Sequence, residues 1–219
     1  MISVKICGIR DRAAMDAAIE GGAAMAGLMF YAPSPRAIDL MQAADLADHA
    51  AGRIALVGVF VDADDDHIAR TLRAVPLTHL QLHGRESPER VTEIAGRFGL
   101  PAIKAVGIGN AADVSLAHTY EPVADTLLFD ARPPTGHGHL PGGNALSFDW
   151  RLIARENWGK PWMLSGGLAA DNVAEAIKAS GARAVDVSSG VESSRGVKDP
   201  ALIRAFLAAV SRLETPDRS

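Results

Sequence analysis

The side chains best suited to chemistry in this 219-residue chain fall on or just after short apolar runs: Cys7, Arg36, His83, Asp130, Ser165, Ser188 and Ser189. Cys7 ends the run SVKIC and stands beside Gly8. A thiol with its ordinary pKa of about 8.5 serves as nucleophile or proton acceptor when a positive neighbour favours the thiolate. Without such a neighbour it is a small buried hydrophobe, and position alone fits either role. Asp130 ends the run TLLFD. A carboxyl lodged among apolar groups stays protonated to higher pH and can act as a general acid near neutrality, but the same place also suits a loop cap. Two turns follow the last two runs, Ser165-Gly166-Gly167-Leu168 and Ser188-Ser189-Gly190-Val191-Glu192. Glycine lets the backbone approach a ligand closely, and exposed N–H groups there can hold a phosphate without any net positive charge. Arg36 by itself reads as a solvated surface cation, and His83 either lines a pocket or satisfies nearby backbone.

Two acidic or imidazole clusters are read as structural. His137 and His139 lie in a Gly- and Pro-rich stretch without assured partners, so no metal is expected there. Asp62, Asp64 and Asp66 imitate the start of a calcium loop, but His67 stands where the turn glycine belongs and Arg73 where the final Glu belongs. They fit better at a helix N-terminus, complementing its dipole.

The elements that must position these groups alternate along the chain. Eight apolar runs read as strands: 3–7, 26–30, 55–60, 79–83, 102–106, 126–130, 162–166 and 184–188. Segments of helical period lie near 12–20, 40–50, 64–74, 88–98, 111–119, 148–155, 171–179 and 200–213. Asp11, Asp62, Ser87, Asn110, Ser147 and Asp171 suit helix starts, and Pro200 suits a first helical position. Eight βα units predict a single-domain α/β fold, a (β/α)8 TIM barrel, because closure leaves no sheet edge; an open doubly wound sheet is the alternative. The barrel is expected over 1–213 with a flexible tail at 214–219, and 131–147 reads as a surface loop. Strand residues alternate inward and outward, which sets Lys5 and Cys7 inward on the first strand and Asp186 and Ser188 inward on the last. Closure would bring Lys5 beside Asp186.

Composition limits what these groups can act on. Lys plus Arg number 22 against 26 Asp plus Glu, a formal charge of −4, so there is no overall positive field for a nucleic-acid backbone or an anionic membrane. The single Cys forbids an internal disulfide and a four-Cys zinc site, which fits a reducing cytoplasm. The start MISVKICGIRDR reads as a strand rather than a signal peptide, and no apolar stretch approaches the roughly 18 residues a membrane helix requires.

The words KICGIR at 5–10, FYAPSPRAI at 30–38, GVFVD at 58–62, LQLHG at 80–84, LLFD at 127–130, SFDW at 147–150, LSGGL at 164–168 and VDVSSGVESSRGVKD at 185–199 resemble the phosphoribosylanthranilate isomerase family of tryptophan biosynthesis. They occur in family order over nearly the whole chain. The resemblance implies an Amadori rearrangement of N-(5-phospho-β-D-ribosyl)anthranilate to 1-(o-carboxyphenylamino)-1-deoxyribulose 5-phosphate, without organic cofactor or metal. It implies Asp130 as general acid, Cys7 as general base and Arg36 as the partner of the substrate carboxylate. Gly166, Gly167, Ser188, Ser189 and Gly190 match the phosphate-binding turns, and His83, Gly142 and Gly143 are expected at the pocket. The chain departs from the family where Asn144 replaces a Thr after Gly142 and Gly143, behind an inserted-looking GHGHL, which puts substrate contacts from that loop in question. Partners are expected to be a phosphorylated small molecule and, at most, a second copy of the chain, as monomer or homodimer. The alternatives are another phosphosugar aldose–ketose isomerase, against which Cys7 argues, and an inert phosphate-ligand binding barrel, against which Cys7 and Asp130 together argue.

Overall fold

In the computed structural model, residues 2–132, 142–143 and 146–213 are described. The expectations for His137, His139, Asn144 and the tail 214–219 therefore fall outside the described residues. Eight parallel strands close into a barrel in sequential order: β1 (Ser3–Cys7), β2 (Met25–Met29), β3 (Ala55–Phe60), β4 (His79–Leu82), β5 (Ala102–Ile108), β6 (Thr126–Ala131), β7 (Trp162–Leu164) and β8 (Ala184–Val187). Around them lie α1 (Arg12–Glu20), α2 (Leu40–Ala50), α3 (Asp65–Ala74), α4 (Pro88–Phe98), α5 (Ala111–His118), α6 (Arg151–Ala154), α7 (Val173–Ser180) and α8 (Pro200–Arg212). Between β8 and α8, a short antiparallel hairpin joins β9 (Glu192–Ser194) to β10 (Val197–Lys198).

The strand pleat divides the apolar side chains into two cores. Val57, Val59, Ile103, Ala105, Leu128 and Met163 pack inside the barrel with Cys7. Ile6, Leu80, Leu127, Phe129 and Val185 face the helices, where they meet residues such as Ile68, Ile94, Phe206 and Val210. Burying a side chain of this size contributes roughly 1.5–3 kcal/mol, so the interlayer core carries most of the stabilisation. Helix starts are fixed locally: Asp11 accepts from Ala14 N–H, Asp64 from His67 N–H, Ser87 from Arg90 N–H, and Asn110 with Asp113 completes a capping box.

Three expected helix starts move. Asp62 is not a cap; it sits in the left-handed region at φ 47°, and its carboxylate accepts from Arg85 N–H at 2.6 Å, tying together the loops after β3 and β4. Asn172, not Asp171, flanks α7, and α6 is a single turn at Arg151–Ala154 that starts after Trp150 rather than at Ser147. The hairpin of β9 and β10 carries no sequence pattern long enough to announce it.

Candidate active site

A pocket opens at the C-terminal ends of the strands. Cys7, Arg36, His83, Asp130, Gly142, Gly143, Gly166, Gly167, Ser188 and Ser189 all line it. Gly190 does not; it packs behind the mouth against the Leu168 backbone.

Cys7 ends β1 facing the barrel interior, with only 6% of its surface exposed. Below it on the same face, Lys5 donates to Asp186 Oδ1 at 2.8 Å, and Ser165 Oγ donates to Asp186 Oδ2 at 3.2 Å. Burial pushes the Cys7 thiol above its ordinary range; the nearby ammonium groups of Lys5 and Lys198 pull it back without reversing the shift. Burial pulls the Lys5 ammonium down, but Asp186 and Cys7 outweigh it and leave Lys5 more firmly protonated than usual. A thiolate formed here would be strongly basic, with cations within electrostatic reach.

Asp130 lies on β6, 6% exposed. Its Oδ1 accepts the Ala131 N–H at 2.8 Å, and its Oδ2 faces His83 Nε2 at 3.3 Å. Gln81 Nε2 pairs with His83 Nδ1 at 2.8 Å; with the Gln81 amide in this orientation, a neutral His83 ring carries its proton on Nε2, toward Asp130. The histidine lines the pocket, and its ring partners are the side chains of Gln81 and Asp130 rather than nearby backbone. Gly142 closes over the pair; a Cβ there would fall 2.6 Å from Asp130 Oδ2 and 2.5 Å from His83 Nε2.

Arg36 is buried, not a solvated surface cation, at 3% exposure. Its Nε and Nη2 donate to the two oxygens of Glu192 at 2.7 and 3.0 Å, and Nη2 also donates to Gly143 O at 3.2 Å. Glu192 in turn accepts from Lys198 Nζ at 2.7 Å. These two partners escaped sequence reasoning. Glu192 ends the word SSGVE, but nothing in linear order joins it to an arginine 156 residues earlier.

Across the mouth, Gly166 and Gly167 turn with φ of 89° and 64°, and their N–H groups have no hydrogen-bond acceptor among the described residues. An Ala at 166 would place its Cβ 2.8 Å from Ala131 N as well as in a disfavoured backbone region. Ser188 Oγ donates to Cys7 O at 3.1 Å, joining this second turn to the end of β1. Among the described residues, no group of three or more His, Cys, Asp or Glu is arranged to hold a metal ion.

A closed barrel that gathers a thiol, a carboxyl, a guanidinium and glycine turns at the C-terminal ends of its strands has the architecture of a (β/α)8-barrel enzyme. Residues 4–209 match the family described as N-(5'phosphoribosyl)anthranilate (PRA) isomerase. The chain is 54% identical over 208 residues to the N-(5'-phosphoribosyl)anthranilate isomerase of Paramagnetospirillum magneticum, covering 95% of this chain and 96% of that one. The crystal structure of phosphoribosyl anthranilate isomerase from Thermotoga maritima superimposes with a TM-score of 0.85 at 35% identity, over 97% of this chain and all of that one. A second such structure, at TM-score 0.84 and 34% identity over the same shares, is a complex with reduced 1-(o-carboxyphenylamino)-1-deoxyribulose 5-phosphate. The chain belongs to the phosphoribosylanthranilate isomerase family.

Proposed function

We propose that this chain catalyses the Amadori rearrangement of N-(5-phospho-β-D-ribosyl)anthranilate to 1-(o-carboxyphenylamino)-1-deoxyribulose 5-phosphate, with Asp130 as general acid and Cys7 as general base. The observation that carries the reading is the convergence of Cys7 from β1 and Asp130 from β6 on one pocket that Arg36 and two glycine turns also line. Asp130 gives its proton to the furanose ring oxygen as the bond from that oxygen to C1 breaks. The ring oxygen becomes a hydroxyl and the nitrogen lone pair forms an iminium. Cys7 then takes the C2 proton, and the electrons left behind neutralise the iminium as an enolamine. Protonation at C1 with loss of the C2 hydroxyl proton gives the ketone, and exchange with water restores both side chains.

Each neighbour suits its part. Gly142 and His83 crowd Asp130 Oδ2, which keeps its carboxyl directed at the pocket. The raised thiol pKa makes the Cys7 thiolate a stronger base for a carbon-bound proton, and Lys5 stabilises it once formed. Gly166, Gly167, Ser188 and Ser189 form the phosphate end of the site through backbone N–H groups, with Gly190 packed behind them against Leu168, and Arg36 takes the anthranilate carboxylate at the other end. This chemistry calls for no cofactor or metal. The substrate is a phosphorylated small molecule, and the chain is a cytoplasmic monomer or homodimer, its barrel spanning 1–213 and ending in the tail 214–219. The test is to add purified protein to freshly prepared phosphoribosylanthranilate and follow the loss of its anthranilate-type fluorescence; no acceleration over the buffer rate would refute the assignment.

A further inference from the structure

The Arg36 guanidinium spends two of its three nitrogens on protein. Nε and Nη2 form a fork onto Glu192, while Nη1 has no partner among the described residues and lies against Gly143 in the pocket wall. Glu192 is itself held from behind: Lys198 Nζ donates to Oε1 at 2.7 Å and Gly196 N–H to Oε2 at 3.1 Å. Lys198 Nζ also donates to the carbonyl of Ser188 at 2.8 Å and faces its hydroxyl at 3.2 Å. The three side chains are 3%, 4% and 1% exposed. The hairpin of β9 and β10 supplies both Glu192 and Lys198, and its turn at Gly196 packs on the Pro35 backbone, immediately before Arg36.

With Lys198 protonated, two cations and one carboxylate leave this buried cluster one positive charge in excess; burial first, and the Arg36 charge as well, lower the Lys198 pKa despite Glu192, as expected where positive charge is in excess. Burial pushes the Glu192 carboxyl up, yet the Arg36 fork and Lys198 overcome that and hold it at about 2, so its charge is permanent at working pH. A buried unbalanced cation is costly, and because Arg36 lines the pocket, an anion that balances it can arrive from there. A carboxylate arriving there meets a guanidinium plane already fixed by its other edge, so it does not have to freeze a flexible side chain on binding.

We propose that Glu192, braced by Lys198, is a positioning residue that fixes the guanidinium plane of Arg36 and so makes the site selective for substrates carrying a carboxylate at their aryl end. The proposal rests on the assignment of Arg36 to the substrate carboxylate. Charge and position predict opposite signs for Glu192→Gln. Losing the carboxylate makes the site more positive, which by charge alone would tighten anion binding; losing the fork frees the guanidinium, which loosens it.

The experiment compares KM and kcat for phosphoribosylanthranilate in E192Q, R36M and the double variant, together with inhibition by inorganic phosphate as a reading of the opposite end of the site. E192Q should raise KM by about tenfold or more with a much smaller change in kcat, leave the phosphate inhibition constant within a few-fold of wild type, and add little to R36M. E192D, which keeps the charge but retracts it by one methylene, should fall between. Should E192Q not fold, the pair E192M/K198M removes the buried lysine with its partner and is read through KM and kcat against R36M alone, because Lys198 also holds the Ser188 carbonyl of the phosphate turn. An unchanged or lowered KM in E192Q, or parallel loss of phosphate inhibition, overturns the proposal while R36M remains impaired. A wild-type KM in R36M overturns the Arg36 assignment and this proposal together.

Discussion

Lys5 and Asp186 are Cα partners on β1 and β8, the two strands that close the barrel, and their side chains meet at 2.8 Å beneath Cys7 with 0% and 4% of their surfaces exposed. The pair supplies a fixed cation beside the thiol, while Ser165 holds the second carboxylate oxygen. Desolvating both charges makes such a pair a poor source of stability against an apolar replacement. Removing one member is another matter. Lys5→Met leaves Asp186 buried without a counter-charge, held only by the Ser165 hydroxyl, and we expect a loss of about 3–5 kcal/mol in unfolding free energy, measured by denaturant titration. Retention of full stability and activity would remove the pair from both roles.

The same variant changes the thiol. Cys7 is the chain's only cysteine, so the pH dependence of its alkylation reports one group. Burial raises its pKa and Lys5 opposes that rise, whereas Asp186 adds to it. Wild type should therefore titrate above the ordinary thiol range, and Lys5→Met should titrate higher still. A wild-type midpoint below that range would contradict the burial argument.

Asp130→Asn removes the transferable proton while preserving shape, and Cys7→Ala removes the base at the cost of one sulfur atom. Each should lower turnover by about 10²–10⁴-fold with little change in circular dichroism or thermal midpoint. Near-normal rates in both would end the acid–base assignment.

Gly166→Ala tests the phosphate turn. Its φ of 89° costs an L residue about 1–2 kcal/mol, and the added Cβ presses on Ala131 N at 2.8 Å. We expect a lower melting temperature and weaker inhibition by inorganic phosphate, with Cys7 alkylation unaltered. Phosphate inhibition equal to wild type would place the phosphate elsewhere.

Glu192 should leave a signature in acid. Its folded-state pKa of about 2 lies below the ordinary 4.5, so it contributes stability that is fully present above about pH 4.5 and lost as pH falls toward 2. The difference in unfolding free energy between wild type and Glu192→Gln should accordingly shrink across that window. A difference that stays constant down to pH 2 would show that the carboxylate is not held by Arg36 and Lys198.

Much of this molecule is written locally. Period-two and helical runs mark all eight βα units, and Asp11, Ser87, Asn110 and Pro200 stand where their helices begin, because a cap needs only the next few residues. Strand alternation, with closure assumed, also places Lys5 against Asp186. Where local signals compete, the sequence misleads: Asp62 and Asp64 both suit a helix start, and the choice falls to Asp64 because Asp62 is taken by the Arg85 N–H of the neighbouring loop.

The sequence by itself determined the barrel, the strands that carry Cys7 and Asp130, and the glycine turns after β7 and β8, since each depends on residues close together in the chain. Only the tertiary structure decided that the Cys7 thiol is raised rather than lowered, because that balance depends on how deeply the closed barrel buries it among Lys5, Asp186 and Lys198. Only it decided that Arg36 is a buried, forked guanidinium rather than a solvated one. Glu192 reaches it across 156 residues when the barrel closes and the β9–β10 hairpin packs against the Pro35 backbone, and desolvation there makes the pairing matter.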